Sequence, residues 1–523
     1  MHKPLVVVIS ILLILTAPVL ASDRANKFLV IHLDGVASDS LYSYLEAGYL
    51  PAIEALFAGG QKVKHGVTVF PGETPLVLTR MRQGLDNSEG LVGWAYIDQT
   101  GNKVGLINVF LEMMDQVSRL SRNHFIFQYP GVNHLVGLSL FNIGRYWQTH
   151  DVLEVYWINS DSIAHLGGQE AQLKSLQRFD GYLGRAAKSG QFEGANLVLY
   201  TDHGSTLDDV TVVKYQSLLP DLLGDELRLA YYPNIYLTDP TKKVEVARRI
   251  ITETPIDLTF IRESEERVVG YALGGSFEIQ SREKTYQYTP YGSDYFGYDQ
   301  VGYNGEFLSK EAWLTLTKDH LYPAAIPSIF TFVQNPDAGD IVFVINGPQI
   351  PYYVLGPKGH HAGLTRDDFL VSMFLKGPAF EELEPIDEFW IHEAFTKHLH
   401  MVDFDAKPSR ERHSLGYSYP HQGELVLSPA QRWRGGLLFS GEGLHPWVEY
   451  DIYSSLLTRF WVGAGYGEQT LHWRLNVEAL LGNFKLSWLK QGGLDQEFGL
   501  HWRFSEHVEL NLGRKKVGVT VFF

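Results

Sequence analysis

The chain has 523 residues, a formal net charge of −16 and no cysteine. That length exceeds what one hydrophobic core organises and implies at least two domains. The negative balance argues against a nucleic-acid polyanion as the main partner. The missing thiols exclude disulfides and thiolate metal sites, so a metal must be held by imidazole and carboxylate. At the amino end, Lys3 precedes an apolar run from Leu5 to Leu15 that extends to Leu20. The run is shorter than the roughly 18 apolar residues a spanning helix needs. Val19 and Ala21 are short residues three and one places before Ser22, a signal-peptidase pattern. Residues 1–21 therefore read as a secretory signal on an exported protein, with a membrane anchor as the alternative. No Cys follows to carry lipid.

Lys27–Leu33 reads as the first strand and ends in Asp34-Gly35. Helical periodicity follows over about Asp39–Phe57, with Pro51 opening a second helix. A strand then runs through Val67 into the turn Phe70-Pro71-Gly72-Glu73-Thr74, and Leu76–Arg82 looks helical. Thr74 can be a helix N-cap. It can also be an attacking oxygen set among free backbone amides that suit an oxyanion. Residues 101–150 carry little readable pattern. Val152–Ile158 is a further strand, followed by Asp161 and His165, whose spacing of four lets both reach one point if a helical turn begins there. Gln169–Gly190 is an amphipathic helix.

Asn196–Thr201 is a short apolar run that stops at Asp202-His203-Gly204. A buried parallel strand reads this way, and open α/β sheets bind ligands at such carboxyl ends. Asp202 and His203 suit one zinc-like cation; the plain alternative is a capped strand end with a turn Gly. From Gly204 to about Gln334 the character changes. Short strands over Arg228–Leu237, Leu258–Glu263 and Arg267–Leu273 surround a helix over Pro240–Thr254, and Tyr286–Tyr303 is rich in Tyr, Gly and Asp. This predicts an inserted subdomain over about 205–335. Asp340–Ile345 resumes the buried-strand pattern. The pair His360-His361 follows, then a helix or strand entry over Thr365–Phe374. A His pair in a loop is more often surface than ligand.

Asp34, Thr74, Asp161, His165, Asp202, His203 and His361 thus stand at strand ends or turns far apart in the chain. By chemistry they sort into two three-residue cation sites sharing a hydroxyl. Two divalent ions about 4 Å apart can activate a nucleophile and hold a phosphoryl oxygen, and Thr is a poor nucleophile without such help.

The order of these motifs resembles the alkaline phosphatase superfamily, above all its type I phosphodiesterase/nucleotide pyrophosphatase branch. The matching text is Asp34-Gly35, Phe70-Pro-Gly-Glu-Thr74, Asp161-Ser-Ile-Ala-His165, Asp202-His203-Gly204 and His361-Ala-Gly-Leu364, within about residues 26–380. The resemblance implies an α/β fold with a sheet flanked by helices over residues 22–400. It implies a small phosphorylated substrate and two divalent ions of zinc type. Asp161, His165 and His361 would hold one ion; Asp34, Asp202 and His203 would hold the other. Thr74 would contact the metals and form a phospho-enzyme. His361 fits better than His360 because the family's His-Gly-Gly-Leu pattern aligns only behind it. One departure stands out: where such diesterases read Gly-Ile-Val-Gly-Asn, this chain has Gly90-Leu-Val-Gly93-Trp94. The phosphoryl-binding Asn is replaced by an indole, which leaves a phosphomonoesterase open. A non-catalytic envelope binding protein on the same fold is the reading from another class. Thr at position 74 argues against a sulfatase.

Residues 401–523 alternate with period two, as in Leu471–Glu478 and Val517–Phe523, between short Gly/Asn/Asp turns. About eight such segments follow Ser414, and six of the 11 Trp lie between Trp433 and Trp502. The pattern predicts an antiparallel all-β domain, either a small outer-membrane barrel on a periplasmic protein or a soluble sandwich or barrel.

Overall fold

A computed structural model describes residues 24–117, 134–141, 143, 147, 150–351 and 358–402, and by backbone the strands between Ser414 and Phe522. The apolar run read as a secretory signal lies outside the described residues. Among those described, no helix is long and apolar enough to cross a membrane.

The fold is mixed α/β around a central sheet. Its strands are β1 (Phe28–Leu33), β2 (Gln61–Val67), β3 (Val152–Trp157), β4 (Asn196–Thr201), β5 (Leu370–Lys376) and β6 (Glu388–Trp390). They lie in the order β6-β2-β5-β4-β1-β3. β1 is parallel to β3 and β4, whereas β5 runs antiparallel to both β4 and β2. The run read as a parallel strand, Asn196–Thr201, therefore has one parallel and one antiparallel edge. All six of its residues are buried, as expected for a strand covered on both faces.

Four helices matter for the site: α1 (Ser38–Glu46), α2 (Pro51–Leu56), α3 (Thr74–Gln83) and α4 (Asn159–Lys188). Odd-numbered positions of β1, Leu29, Ile31 and Leu33, pack with Leu41, Ile53, Leu176 and Phe179 from α1, α2 and α4. The even positions face the other way. Val30, Val198, Tyr200 and Met373 pack with Leu76, Val77 and Met81 of α3, as the period of two requires. α2 opens on Pro51 and is capped from a distance, because Asp180 of α4 accepts from the Ala52 and Ile53 amides at 3.1 and 2.8 Å. α4 begins ten residues before the Gln169 read from periodicity and bends at Gly168 (φ 69°, ψ −160°). Its first turns are Asn-Ser-Asp-Ser-Ile-Ala-His, which carry no apolar stripe for a sequence reading to find.

A second sheet has eight strands in antiparallel order. It includes Leu227–Tyr231, Asn234–Leu237, Leu258–Ser264 and Arg267–Ala272. Ile341–Val344, read as resuming the earlier buried-strand pattern, pairs here with Asn234–Leu237 and Leu258–Ser264. Gly275–Arg282 and Thr285–Gly292 are also strands. Tyr286, Tyr288, Tyr298 and Tyr303 are buried and build core, whereas Tyr291 is exposed.

From Ser414–Tyr419 to Val517–Phe522 the backbone forms ten antiparallel strands, and the first pairs with the last to close the ring. The sequence pattern counted about eight. Gln422–Ala430, for example, holds a Pro near its end, which blurs a period-two signal.

Candidate metal centre

The β1–β4 register places Leu33 beside Thr201, so the next residues, Asp34 and Asp202, emerge together at the carboxyl ends of parallel strands. Asp161 stands in the first turn of α4, just beyond β3. Gly35 permits its approach. Its φ is +68°, and a Cβ there would lie 2.4 Å from Asp161 Oδ1. Glycine is needed for both the turn and the contact. The segment after β4 is equally tight, since a Cβ at Gly204 would lie 1.9 Å from the Asp367 carbonyl oxygen.

All seven residues singled out from the sequence meet in one buried place. His203 Nε2 lies 3.3 Å from Asp34 Oδ1 and 3.5 Å from Asp202 Oδ2. Thr74 Oγ1 lies 3.1 Å from His203 Nε2 and 3.4 Å from Asp34 Oδ1. His165 Nε2 lies 3.2 Å from Asp161 Oδ2, and His361 Nε2 lies 3.8 Å from Asp161 Oδ1. Ligand atoms within 4.8 Å of one another form two triads, Asp161/His203/His361 and His32/Asp34/Asp202. The grouping implied by the resemblance differs: it gives His203 to Asp34 and Asp202, and His165 to Asp161 and His361. His203 sits between the two sets and reaches both. His360 is buried as well, contrary to the surface expectation for a His pair. Its Nδ1 turns onto the backbone of His361 at 2.7 Å.

The imidazoles share one orientation. Nδ1 of His165, His203 and His361 meets the backbone carbonyls of Gly359, Gly204 and Gly72 at 2.7, 2.9 and 2.7 Å. A ring that donates from Nδ1 keeps its Nε2 lone pair for a cation, the arrangement typical of metal-binding histidine. Asp161 Oδ1 and Asp202 Oδ2 are buried and accept no hydrogen bond. Buried oxygens without donors are rare and ask for a missing partner. The donor set is nitrogen and oxygen only, which suits zinc and similar ions. Among the described residues, Asp161, Asp202 and His203 form ion pairs only within this cluster and its neighbour His32. Burial and the charges of Asp202 and Asp161 push the Asp34 carboxyl up. Burial also opposes ionisation of Asp202, but His203 and His32 outweigh it and hold that group low. Together these features fit a cation centre.

Trp94, which stands where the resemblance puts an Asn, donates its Nε1–H to Glu73 Oε2 at 2.8 Å. The start of α3 is also less open than a helix amino terminus usually is. Pro75 has no amide hydrogen, and the Leu76 and Val77 amides both bond to the Glu73 carbonyl at 2.9 and 3.0 Å. Glu73 is itself buried, and burial raises its carboxyl to about 7 against the Trp94 hydrogen bond. Glu73, His32 and Tyr156 were missed from the sequence. The available signal was a His in an otherwise apolar strand two places before Asp34.

No protein-family model matches the chain, and no curated protein does. Among solved structures, murine ectonucleotide pyrophosphatase/phosphodiesterase 5 aligns over 72% of this chain and 95% of its own, at 16% identity and TM-score 0.46. The human protein of that name aligns over 72% and 94%, at 15% identity and TM-score 0.47. An inactive variant of the murine protein in complex with AMP aligns over 72% and 94%, at 16% identity and TM-score 0.45.

Protonation gives the first test. Burial pulls His165 down, but the Asp161 charge and hydrogen bond outweigh it and raise the ring to about 9. The folded value lies above the unfolded one. The pair therefore stabilises the metal-free protein fully below about pH 6.5 and loses that contribution as pH rises through about 9. A metal must displace the same proton. Zinc titration of the metal-free protein is expected to release protons at pH 7 and to tighten by at least about thirtyfold between pH 6.5 and 8, since a proton held near 9 must leave. An affinity independent of pH would contradict this arrangement.

Proposed function

We propose that the protein is an exported, metal-dependent phosphoric-ester hydrolase of the phosphodiesterase type, with Thr74 as nucleophile. The observation that carries this reading is the shared orientation of the cluster. Three imidazoles donate from Nδ1 to backbone carbonyls, Asp34 Oδ1 approaches the Thr74 hydroxyl, and Asp161 Oδ1 and Asp202 Oδ2 lack hydrogen-bond donors. In this reading Asp161, His165 and His361 hold one divalent ion, and Asp34, Asp202 and His203 hold the other. When bound, the ions would supply the positive charge that lowers the pKa of the Thr74 hydroxyl and neutralises phosphoryl oxygens.

The protein groups then have simple tasks. Thr74 Oγ1 attacks phosphorus, the ester oxygen departs with its electron pair and takes up a proton, and a phosphothreonine remains. Water attacks that phosphorus in turn, releases the phosphoryl product and restores the hydroxyl. His203 lies 3.1 Å from Oγ1 and fixes where the oxygen points. Burial of Thr74 keeps bulk water from competing before the substrate arrives.

Glu73 favours a diester over a monoester. Its carboxyl is buried next to the nucleophile and tied to Trp94. A diester carries one negative charge, whereas a monoester near neutral pH carries two. Above about pH 7, where the Glu73 carboxyl is ionised, a second charge beside it meets like-charge repulsion.

The carboxy-terminal segment is proposed as an outer-membrane anchor. Its support is a backbone ring of ten antiparallel strands, an even number as in single-chain bacterial barrels, with the period-two sequence and clustered tryptophans.

Thr74→Ala should lower turnover on the order of 10⁴-fold while metal content stays at the unmodified level. Retained turnover would point to a non-catalytic envelope protein or another nucleophile. Glu73→Gln should raise kcat/KM for a p-nitrophenyl monoester relative to the matching diester by about tenfold; an unchanged ratio removes the role given to this carboxyl. Full-length protein made in a Gram-negative host should sediment with outer membranes and need detergent for release. Recovery in the soluble periplasmic fraction would leave the tail a soluble β-domain.

A further inference from the structure

Directly beneath the site's carboxylates lies a row of three aromatic rings. In the register of the central sheet, His32 of β1 stands opposite Tyr156 of β3 on one side and Tyr200 of β4 on the other. The rings stack. The His32 centroid is 4.4 Å from Tyr156 with planes 12° apart, and 4.6 Å from Tyr200 with planes 16° apart. All three side chains are buried. Since side chains repeat every second residue along a strand, Asp34 rises above His32 and Asp202 above Tyr200.

The row touches both carboxylates, and only on their outer oxygens. Tyr156 donates its hydroxyl to Asp34 Oδ2. His32 Nε2 stands 3.3 Å from Asp202 Oδ1 as an ion-pair contact, and neither of its ring nitrogens has a hydrogen-bond partner among the described residues. The same oxygen accepts the Gly35 amide at 3.2 Å. Asp34 Oδ1 is left facing Thr74 and His203 at 3.4 and 3.3 Å. Asp202 Oδ2 is left facing His203 at 3.5 Å, with no hydrogen bond of its own. The far side of the row is anchored too. Tyr200 donates to Glu154 at 3.0 Å, and Glu154 forms a buried ion pair with Arg82 of α3. That helix begins at Thr74.

We propose that the Tyr156–His32–Tyr200 row is the positioning device of this centre. It fixes Asp34 and Asp202 as single-oxygen ligands, with His32 acting through Asp202. The inference rests on the metal-centre reading above. His32 could in principle be a ligand itself, since its nitrogen falls within 4.8 Å of Asp34 and Asp202 ligand atoms. Two observations speak for the positioning role. Its Nε2 addresses the oxygen already turned outward to Gly35, and two flat tyrosine faces hold the ring in its plane.

The test is calorimetric titration of zinc into metal-free protein, for the unmodified chain and for His32→Phe, His32→Gln and Tyr156→Phe. Phe at position 32 keeps the stack but removes the polar contact. Gln keeps an N–H donor but loses the stack. The expected result is that His32→Phe and Tyr156→Phe still bind two ions, one of them about 10–100-fold more weakly. His32→Gln should recover part of that loss, even where its metal-free melting temperature is the lowest of the set. The proposal is overturned by unchanged affinities in both Phe variants. It is also overturned by affinities that track melting temperature, or by one bound ion in both His32 variants, which would make His32 a ligand. If the unmodified chain binds no zinc, the metal centre itself is wrong, a failure distinct from the others because no substitution is involved.

Discussion

Three carboxyl groups buried together dominate this molecule. Asp34, Asp161 and Asp202 converge at the ends of strands; Asp34 and Asp202 are fully buried, and the Asp161 side chain is 13% exposed. Burial of one unpaired carboxylate costs several kcal/mol, so a cluster of three needs positive charge at close range. Among the described residues their ion-pair partners are histidines, with no Lys or Arg. Imidazoles can supply that charge only by taking protons, as the raised His165 and His203 indicate. Yet the Nδ1 contacts to carbonyls leave each Nε2 directed at the acids. The same geometry serves a protonated, metal-free state and a metal-loaded state. It is most economical for the second, in which one cation satisfies several orphaned oxygens.

The sheet explains how residues so distant in sequence arrive at that point. β1 and β4 are parallel neighbours, so their ends deliver Asp34 and Asp202 to the same edge. β3, on the other flank of β1, feeds α4, whose first turns carry Asp161 and His165 on one side. β5 enters antiparallel, so the segment before it, with His361, comes to the same edge from the opposite direction. Thr74 comes on α3, packed on the face that bears Val30, Val198 and Tyr200. No element supplies more than two of the seven groups, and their relative positions are only as firm as the strand register.

That dependence separates what could be read in the sequence from what could not. Asp34-Gly35 and Asp202-His203-Gly204 were legible because an apolar run that stops at an acid and a glycine is a local pattern. Asp161 and His165 were legible from their spacing, although the helix that carries them has no apolar stripe to announce it. The row His32, Tyr156, Tyr200 was invisible, because only strand order makes those residues neighbours. In sequence His32 is one polar residue in an apolar strand, and both tyrosines pass for core. The Tyr-rich stretch 286–303 pointed to a subdomain but not to its core, which the rings of Tyr286, Tyr288, Tyr298 and Tyr303 help fill. Ile341–Val344 was legible as a buried strand, but nothing local says which sheet it joins.

The loop that carries Trp94 shows how a substitution moves an electrostatic task elsewhere. The indole N–H is committed to Glu73, Pro75 contributes no amide hydrogen, and the Leu76 and Val77 amides close on the Glu73 carbonyl. Among the described hydrogen bonds of that first turn, the Thr74 amide has none, so under the proposed function it is the one left for a phosphoryl oxygen. Preorganised donors of this kind are each worth about 10²–10³ in rate where they exist. A site with few of them must draw its stabilisation of developing charge from another source. Under the proposed function, that source would be cations held by the cluster. The rigidity of the carboxylates that would hold them therefore takes on the work that oriented amides do in other sites. A buried aromatic row lies under those carboxylates and is anchored through Glu154 and Arg82 to the helix that begins at Thr74, which is where the proposed rigidity would come from.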